Sequence, residues 1–163
     1  MYRQSGMVAP LLVSAVNGVV RAHEKTTGQK AWQVSLTELP YRSIVRLVIE
    51  GEHVIGFGAQ SRAKNGFFGG NEVHGVLFML DYASGRIGWT ARIEGPIFSP
   101  TLLVESPHVF LANGGILSAF NLEDGRILWQ DRDVGEVWTS RGSPFTHPVA
   151  LATPASNAQG DGY

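Results

Sequence analysis

Five histidines, His23, His53, His74, His108 and His147, are the residues of this 163-residue sequence best suited to hold a metal or move a proton. A metal centre needs several such ligands converging on one point. Their placement speaks against that. His53 and His108 each stand just before a strand valine, at matching positions of two similar stretches, and matching positions on different repeats lie apart. His23 falls where Leu80 and Phe120 stand in related segments, which predicts packing on a sheet. The carboxylates are dispersed. Asp131 and Asp133 flank Arg132 as a solvated rim, and Asp81 and Asp124 read as turn residues, so a pair for acid–base work exists only if the fold brings two together. No serine sits in a Gly-x-Ser-x-Gly elbow. Gly66-Phe67-Phe68-Gly69-Gly70 lacks the Lys-Ser/Thr ending of a phosphate loop. The chain has no cysteine, which removes disulfides, thiolate metal sites, a cysteine nucleophile and a lipid-modified cysteine. These residues form no catalytic constellation and assign no cofactor-binding or metal-binding residue, so the reading leans away from an enzyme.

One stretch remains as a binding candidate. Residues 59–74 (AQSRAKNGFFGGNEVH) are polar and Gly-rich, and they read as an insertion loop. Lys64, Asn65, Phe67, Phe68 and Asn71 are its candidate contacts, because loops on a rigid frame carry binding. Two adjacent phenylalanines are costly in water. They either meet a partner or fold back onto the neighbouring sheet, and both readings stand open.

The elements that would position such a loop are all strands. No sustained helical period occurs, whereas short Val/Ile/Leu-rich runs end in turn residues: Asn17-Gly18, Thr27-Gly28, Gly51, Ser84-Gly85, Gly114-Gly115 and Asp124-Gly125. Twenty glycines spread along the chain fit many short strands, and the 44% hydrophobic content suffices for a core. A net charge of −1 gives no electrostatic reason to expect nucleic acid. The apolar run from Met7 to Val16 follows a single Arg3 and is broken by Pro10, so it makes no convincing signal peptide, and nothing is long enough to span a membrane as a helix.

Three segments repeat: Ala22 to Trp32 (AHEKTTGQKAW), Met79 to Trp89 (MLDYASGRIGW) and Ala119 to Trp129 (AFNLEDGRILW). In each, Gly28, Gly85 or Gly125 precedes the tryptophan by four residues. Trp32 to Trp89 spans 57 residues and Trp89 to Trp129 spans 40, and the excess is nearly the length of the insertion at 59–74. The underlying period of about 40 is that of a four-stranded propeller blade. The glycine permits a turn with φ > 0, the acidic or amide residue (Glu24, Asp81, Asn121) can hold the turn backbone, and a small residue such as Ala22 or Ala119 leaves room for an indole.

These segments resemble the tryptophan-docking motif of PQQ-type β-propeller repeats, Ala-x-Asp-x-x-Thr-Gly-Lys-x-x-Trp, with departures at Met79, Glu24 and Asn121. The resemblance implies that the tryptophans pack between neighbouring blades as framework. The fold expected is all-β, a partial propeller of about three to four four-stranded antiparallel blades over residues 1–152, followed by a disordered tail at 153–163. Trp138 lies outside any full motif. A closed propeller has about four to eight blades. Apolar faces are therefore expected around Trp129 at one end and Ala22 at the other, to be covered by another protein, by further blades of a longer chain or by oligomerisation. The function expected is a non-catalytic binding or scaffold surface. The family also contains quinoprotein dehydrogenases and outer-membrane assembly scaffolds. Pyrroloquinoline quinone and calcium enter only under the dehydrogenase alternative, and the resemblance suggests the cell envelope or periplasm if the chain is a fragment.

Overall fold

In the computed structural model, residues 10–36, 43–63, 71–93, 97 and 100–132 are described. They form eleven strands and no helix. β1 (Leu11–Val16), β2 (Val19–Glu24) and β3 (Lys30–Ser35) make a three-stranded sheet. β4 (Ser43–Glu50), β5 (His53–Ala63), β6 (Asn71–Asp81) and β7 (Ile87–Ile93) make a second, and β8 (Thr101–Glu105), β9 (His108–Asn113), β10 (Ile116–Asn121) and β11 (Ile127–Asp131) a third. Within each sheet the strands follow in sequence order and all neighbours are antiparallel. The chain is all-β, a partial propeller of three blades among the described residues. The partial repeat around Trp138 and the tail at 153–163 lie outside them.

Local chemistry sets the hairpins. Between β1 and β2, Asn17 and Gly18 both adopt positive φ (51° and 77°), and between β9 and β10 Gly114 and Gly115 do the same (58° and 80°). Two successive positive-φ residues turn a chain with the twist that antiparallel strands need.

The repeat is visible in the register. Ala22 pairs with Trp32, Met79 with Trp89 and Ala119 with Trp129. Each pair is followed by the same one-residue bulge, so the next partners are His23 and Lys30, Leu80 and Ile87, Phe120 and Ile127. Met79 stands where the other copies have alanine. Its side chain lies over Gly88, where a Cβ would come within 2.4 Å of its terminal methyl.

The core lies between blades. Leu11, Val20, Ala22 and Trp32 of the first pack on Val54, Val76, Phe78 and Leu80 of the second. Ile55, Phe57, Leu77, Met79 and Trp89, on the second blade's other face, pack on Val109, Leu111, Phe120 and Leu122 of the third. The middle blade is thus apolar on both faces, since alternate residues of one strand serve opposite neighbours.

The insertion is narrower than expected. The β5–β6 ladder continues past Ala59 and Gly75 through Gln60–His74, Ser61–Val73, Arg62–Glu72 and Ala63–Asn71. Most of 59–74 is therefore an extension of the hairpin. Replacing residues 61–73 by Asn-Gly joins Gln60 to His74, which are already cross-strand partners, through a two-residue turn. The buried rows from Val54 to Phe57 and from Val76 to Leu80 stay intact. We expect the shortened protein to stay folded, with stability changed by less than about 1 kcal/mol. Loss of the cooperative melting transition would instead show that Phe67 and Phe68 belong to the core.

Candidate functional site

The most elaborate constellation in the chain is the seat that each blade offers to the tryptophan of the blade before it. The seat begins as a turn. Gly85 N–H donates to the Asp81 carbonyl and Asp81 N–H to the Arg86 carbonyl. In the third blade, Gly125 to Asn121 and Asn121 to Arg126 repeat the pattern, and in the first so do Gly28 to Glu24 and Glu24 to Gln29. The glycines share φ values of 68°, 72° and 70°. Side chains lock the turns. Asp81 Oδ1 accepts from the Ser84 amide (2.7 Å) and hydroxyl (2.5 Å). Asn121 Oδ1 accepts from the Glu123 and Asp124 amides. In the first turn the carboxylate of Glu24 accepts from the Thr27 hydroxyl.

The indole then docks. Trp32 lies against Gly85 so closely that a Cβ there would sit 2.5 Å from the ring, and its Nε1 donates to the Tyr82 carbonyl at 2.9 Å. Trp89 does the same over Gly125 and donates to the Leu122 carbonyl at 2.7 Å. Both indoles are buried, at 8% and 9% exposed. The first seat is closed further by Tyr82, whose hydroxyl accepts from the Leu11 amide at 2.6 Å. Tyr82 and Leu122 each follow the Asp or Asn of their motif, so their positions could be read from the sequence. Their role as acceptors could not, because a backbone carbonyl leaves no residue signature.

The Ser84 hydroxyl bond holds the Asp81 carboxyl below its ordinary value, with desolvation opposing and the Ser84 amide and Arg86 adding to the lowering. A carboxylate whose pKa is lower folded than unfolded adds stability that is complete above about pH 4 and is lost as pH falls through the lowered value. Asp81→Asn keeps an acceptor, as Asn121 does in the third blade. The variant should melt below the wild type at neutral pH, and the gap should close as pH falls through the lowered value. A gap that stays constant with pH would contradict this role.

The two ends differ. Trp129 is 46% exposed, and all of β11 is exposed, including Ile127 and Leu128. The Phe110 ring lies 6.2 Å from the indole of Trp129. At the other end Ala22 is fully buried in the core against the second blade, contrary to the expectation of an open face there. The open face of the first blade carries the alternate residues instead: Leu12, Val16, Arg21, His23 and, in the turn, Lys25.

The remaining candidates are dispersed. Lys64, Asn65, Phe67 and Phe68 lie outside the described residues, and Asn71 begins β6 opposite Ala63. His53 approaches Glu123 at 3.9 Å, Arg92 donates to His74 at 3.0 Å, and His108 stacks obliquely near Phe110. His23 pairs with Lys30 across the first sheet. His147 and Asp133 lie outside the described residues. Among the described residues no three His, Asp or Glu side chains converge as a metal site built from such side chains would need. A cleft of about 530 Å³ between the second and third blades is lined by Arg92, Leu111, Asn113, Ser118, Gln130 and Arg132, among others. Ser118 accepts from Gln130, which in turn accepts from Arg132. The cleft offers hydrogen bonds, but the described residues that line it include no carboxylate or imidazole to act as a general base.

The family model for outer membrane protein assembly factor BamB, a PQQ-type repeat model, matches residues 16–158. The chain belongs to this PQQ-like propeller-repeat family. BamB of Yersinia pestis is 23% identical over 112 residues, which is 69% of this chain and 27% of that protein. The solved structure of BamB from Moraxella catarrhalis superposes with a TM-score of 0.56 at 22% identity, over 79% of this chain and 38% of that one. Quinohemoprotein alcohol dehydrogenase ADHIIG from Pseudomonas putida HK5 superposes with a TM-score of 0.53 at 12% identity, over 75% of this chain and 25% of that one. At these identities the structural likeness is one of fold, and the PQQ-like chain spans well under half the length of each relative. No helix among its described residues is long and apolar enough to cross a membrane.

Proposed function

We propose that this chain is a non-catalytic propeller segment that serves as a binding scaffold for protein partners, in outer-membrane protein assembly. The match of residues 16–158 to the BamB family model carries the reading. The use of side chains supports it: the buried indoles, their acceptors and the locked turns all serve contact between blades. The partner in this reading is another protein or further blades of the same kind.

Removing the protein from its native cell should lower the amount of folded outer-membrane β-barrel protein, and restoring it should recover that amount. Unchanged barrel levels would refute the assembly role. The purified protein, supplied with pyrroloquinoline quinone and Ca²⁺, should not reduce a redox dye in the presence of alcohols or sugars. Turnover in that assay would refute the non-catalytic reading and favour the dehydrogenase alternative.

A further inference from the structure

We propose that the cleft between the second and third blades is a binding site for a small amphipathic carboxylate, with its apolar body on Leu111, Ile116 and Ile127 and its anionic head at Arg132. The site is separate from the seats of the tryptophans. It goes beyond the scaffold reading and does not depend on it.

The cleft exists because of one repeat position. Register sets Phe78 of β6 beside Gly56 in the second blade, and Ser118 of β10 beside Leu111 in the third. Phe78 and Ser118 each stand one residue before the start of their tryptophan motif. Phe78 is fully buried, its ring lies across Gly56, and it packs on the core shared with the first blade. Ser118 leaves most of that volume unfilled at the next junction. The space there is about 530 Å³. Small-molecule sites usually measure about 300–1,000 Å³.

Its chemistry is two-sided. Leu111, Ile116 and Ile127 of the third blade and Ile93 of the second supply apolar walls. The polar side is a chain of donors. Arg132 Nη2 donates to Gln130 Oε1 at 3.2 Å, and Gln130 Nε2 donates to the Ser118 hydroxyl at 3.1 Å. A guanidinium carries five N–H donors, and the bond to Gln130 takes one of them. A second arginine, Arg92, lines the cleft from the second blade, with its Nη2 3.0 Å from His74 Nδ1. Both arginines are exposed, whereas Ser118 is buried. Two cations, with no carboxylate among the described lining residues, favour an anion, and the apolar walls favour one with a hydrocarbon body. Packing between blades does not call for this polar chain, because the second blade has Phe78 and Thr90 where the third has Ser118 and Gln130. A small molecule fits better than an added peptide strand. On the third blade β10 is already paired on both sides, by β9 and β11, and offers no free backbone edge for a strand to join.

Octanoate is the probe, and octylammonium, with the same body and the opposite charge, is its control. Each is titrated into the isotope-labelled protein and followed by amide NMR shifts. Octanoate should give saturable shifts centred on Ser118, Gln130 and Arg132, and should bind at least about tenfold more tightly than octylammonium. Arg132→Gln should weaken octanoate by at least about tenfold and leave octylammonium no weaker, a split that a general loosening of the blade junction would not produce. Ser118→Leu, which puts an apolar branch into the cleft, should abolish the shifts in a protein that still melts cooperatively. If that variant impairs folding, the charge split at Arg132 still decides. No saturable shift at millimolar octanoate, equal binding of the two probes, or shifts centred elsewhere would overturn the proposal. Tighter binding of the capped peptide acetyl-Leu-Glu-Leu-amide at the same residues would overturn it too, in favour of an acidic segment of a protein partner. Any of these results leaves the scaffold function standing, since the cell-based measurement reports that separately.

Discussion

Trp89→Ala should destabilise the protein by about 3–5 kcal/mol, the range for a buried aromatic cut to alanine, whereas Trp129→Ala should change stability by no more than about 1 kcal/mol. The two residues fill the same position of the same repeat and pair with their neighbours in the same register. Their surroundings differ. Trp89 is buried between two blades and its Nε1–H satisfies the Leu122 carbonyl, so its loss opens a cavity and strands a buried acceptor. Trp129 has no blade beyond it among the described residues and is nearly half exposed. Trp32, which donates to Tyr82, should behave like Trp89. Denaturant midpoints for the three alanine variants measure this directly. Equal losses at Trp89 and Trp129 would mean that the docking direction inferred from the structure is wrong.

That contrast also shows where sequence reading stops. The tryptophan motif was legible because its parts are chemically rare and tightly spaced: a positive-φ turn wants glycine, an indole wants a small partner, and a turn wants an Asp, Asn or Glu. The direction of docking was not legible, because Trp32, Trp89 and Trp129 look alike as letters and differ only in what lies next to them. The same gap misplaced the open face at Ala22. Alternation along β2 tells that Ala22 and Arg21 face opposite ways, and only the packing shows that Ala22 faces the second blade. The length of the β5–β6 hairpin was missed for another reason. Apolar alternation reports burial of one face, whereas the pairing of Gln60 with His74 through Ala63 with Asn71 runs on backbone groups that any residue carries. A seat made of carbonyls and the absence of side chains is the hardest kind of site to see in a sequence.

Gly125 should be among the least replaceable residues of the chain, and Gly28 among the more tolerant members of its own repeat class. Both adopt positive φ, 70° and 68°, so valine at either position is forced into a backbone region that costs a β-branched residue about 1–2 kcal/mol. At Gly28 that is the whole cost, because a Cβ there meets nothing within 4 Å. At Gly125 the new Cβ would lie 2.5 Å from the ring atoms of Trp89. The ring cannot swing aside freely, since it is buried and tethered through Nε1 to the Leu122 carbonyl. Gly125→Val therefore adds the loss of indole packing to the backbone strain, and the total should reach about 4–6 kcal/mol. Gly85→Val should match it, with Trp32 as the displaced ring. Comparing Gly125→Val with Gly28→Val by chemical denaturation cancels the backbone term and leaves the docking term. The double variant Gly125→Val with Trp89→Ala supplies the decisive check. If the clash is the cause, removing the indole should make the valine far less damaging, and the two losses should fall well short of adding. Full additivity would show that Gly125 matters only for its turn and that Trp89 is held in place by something else.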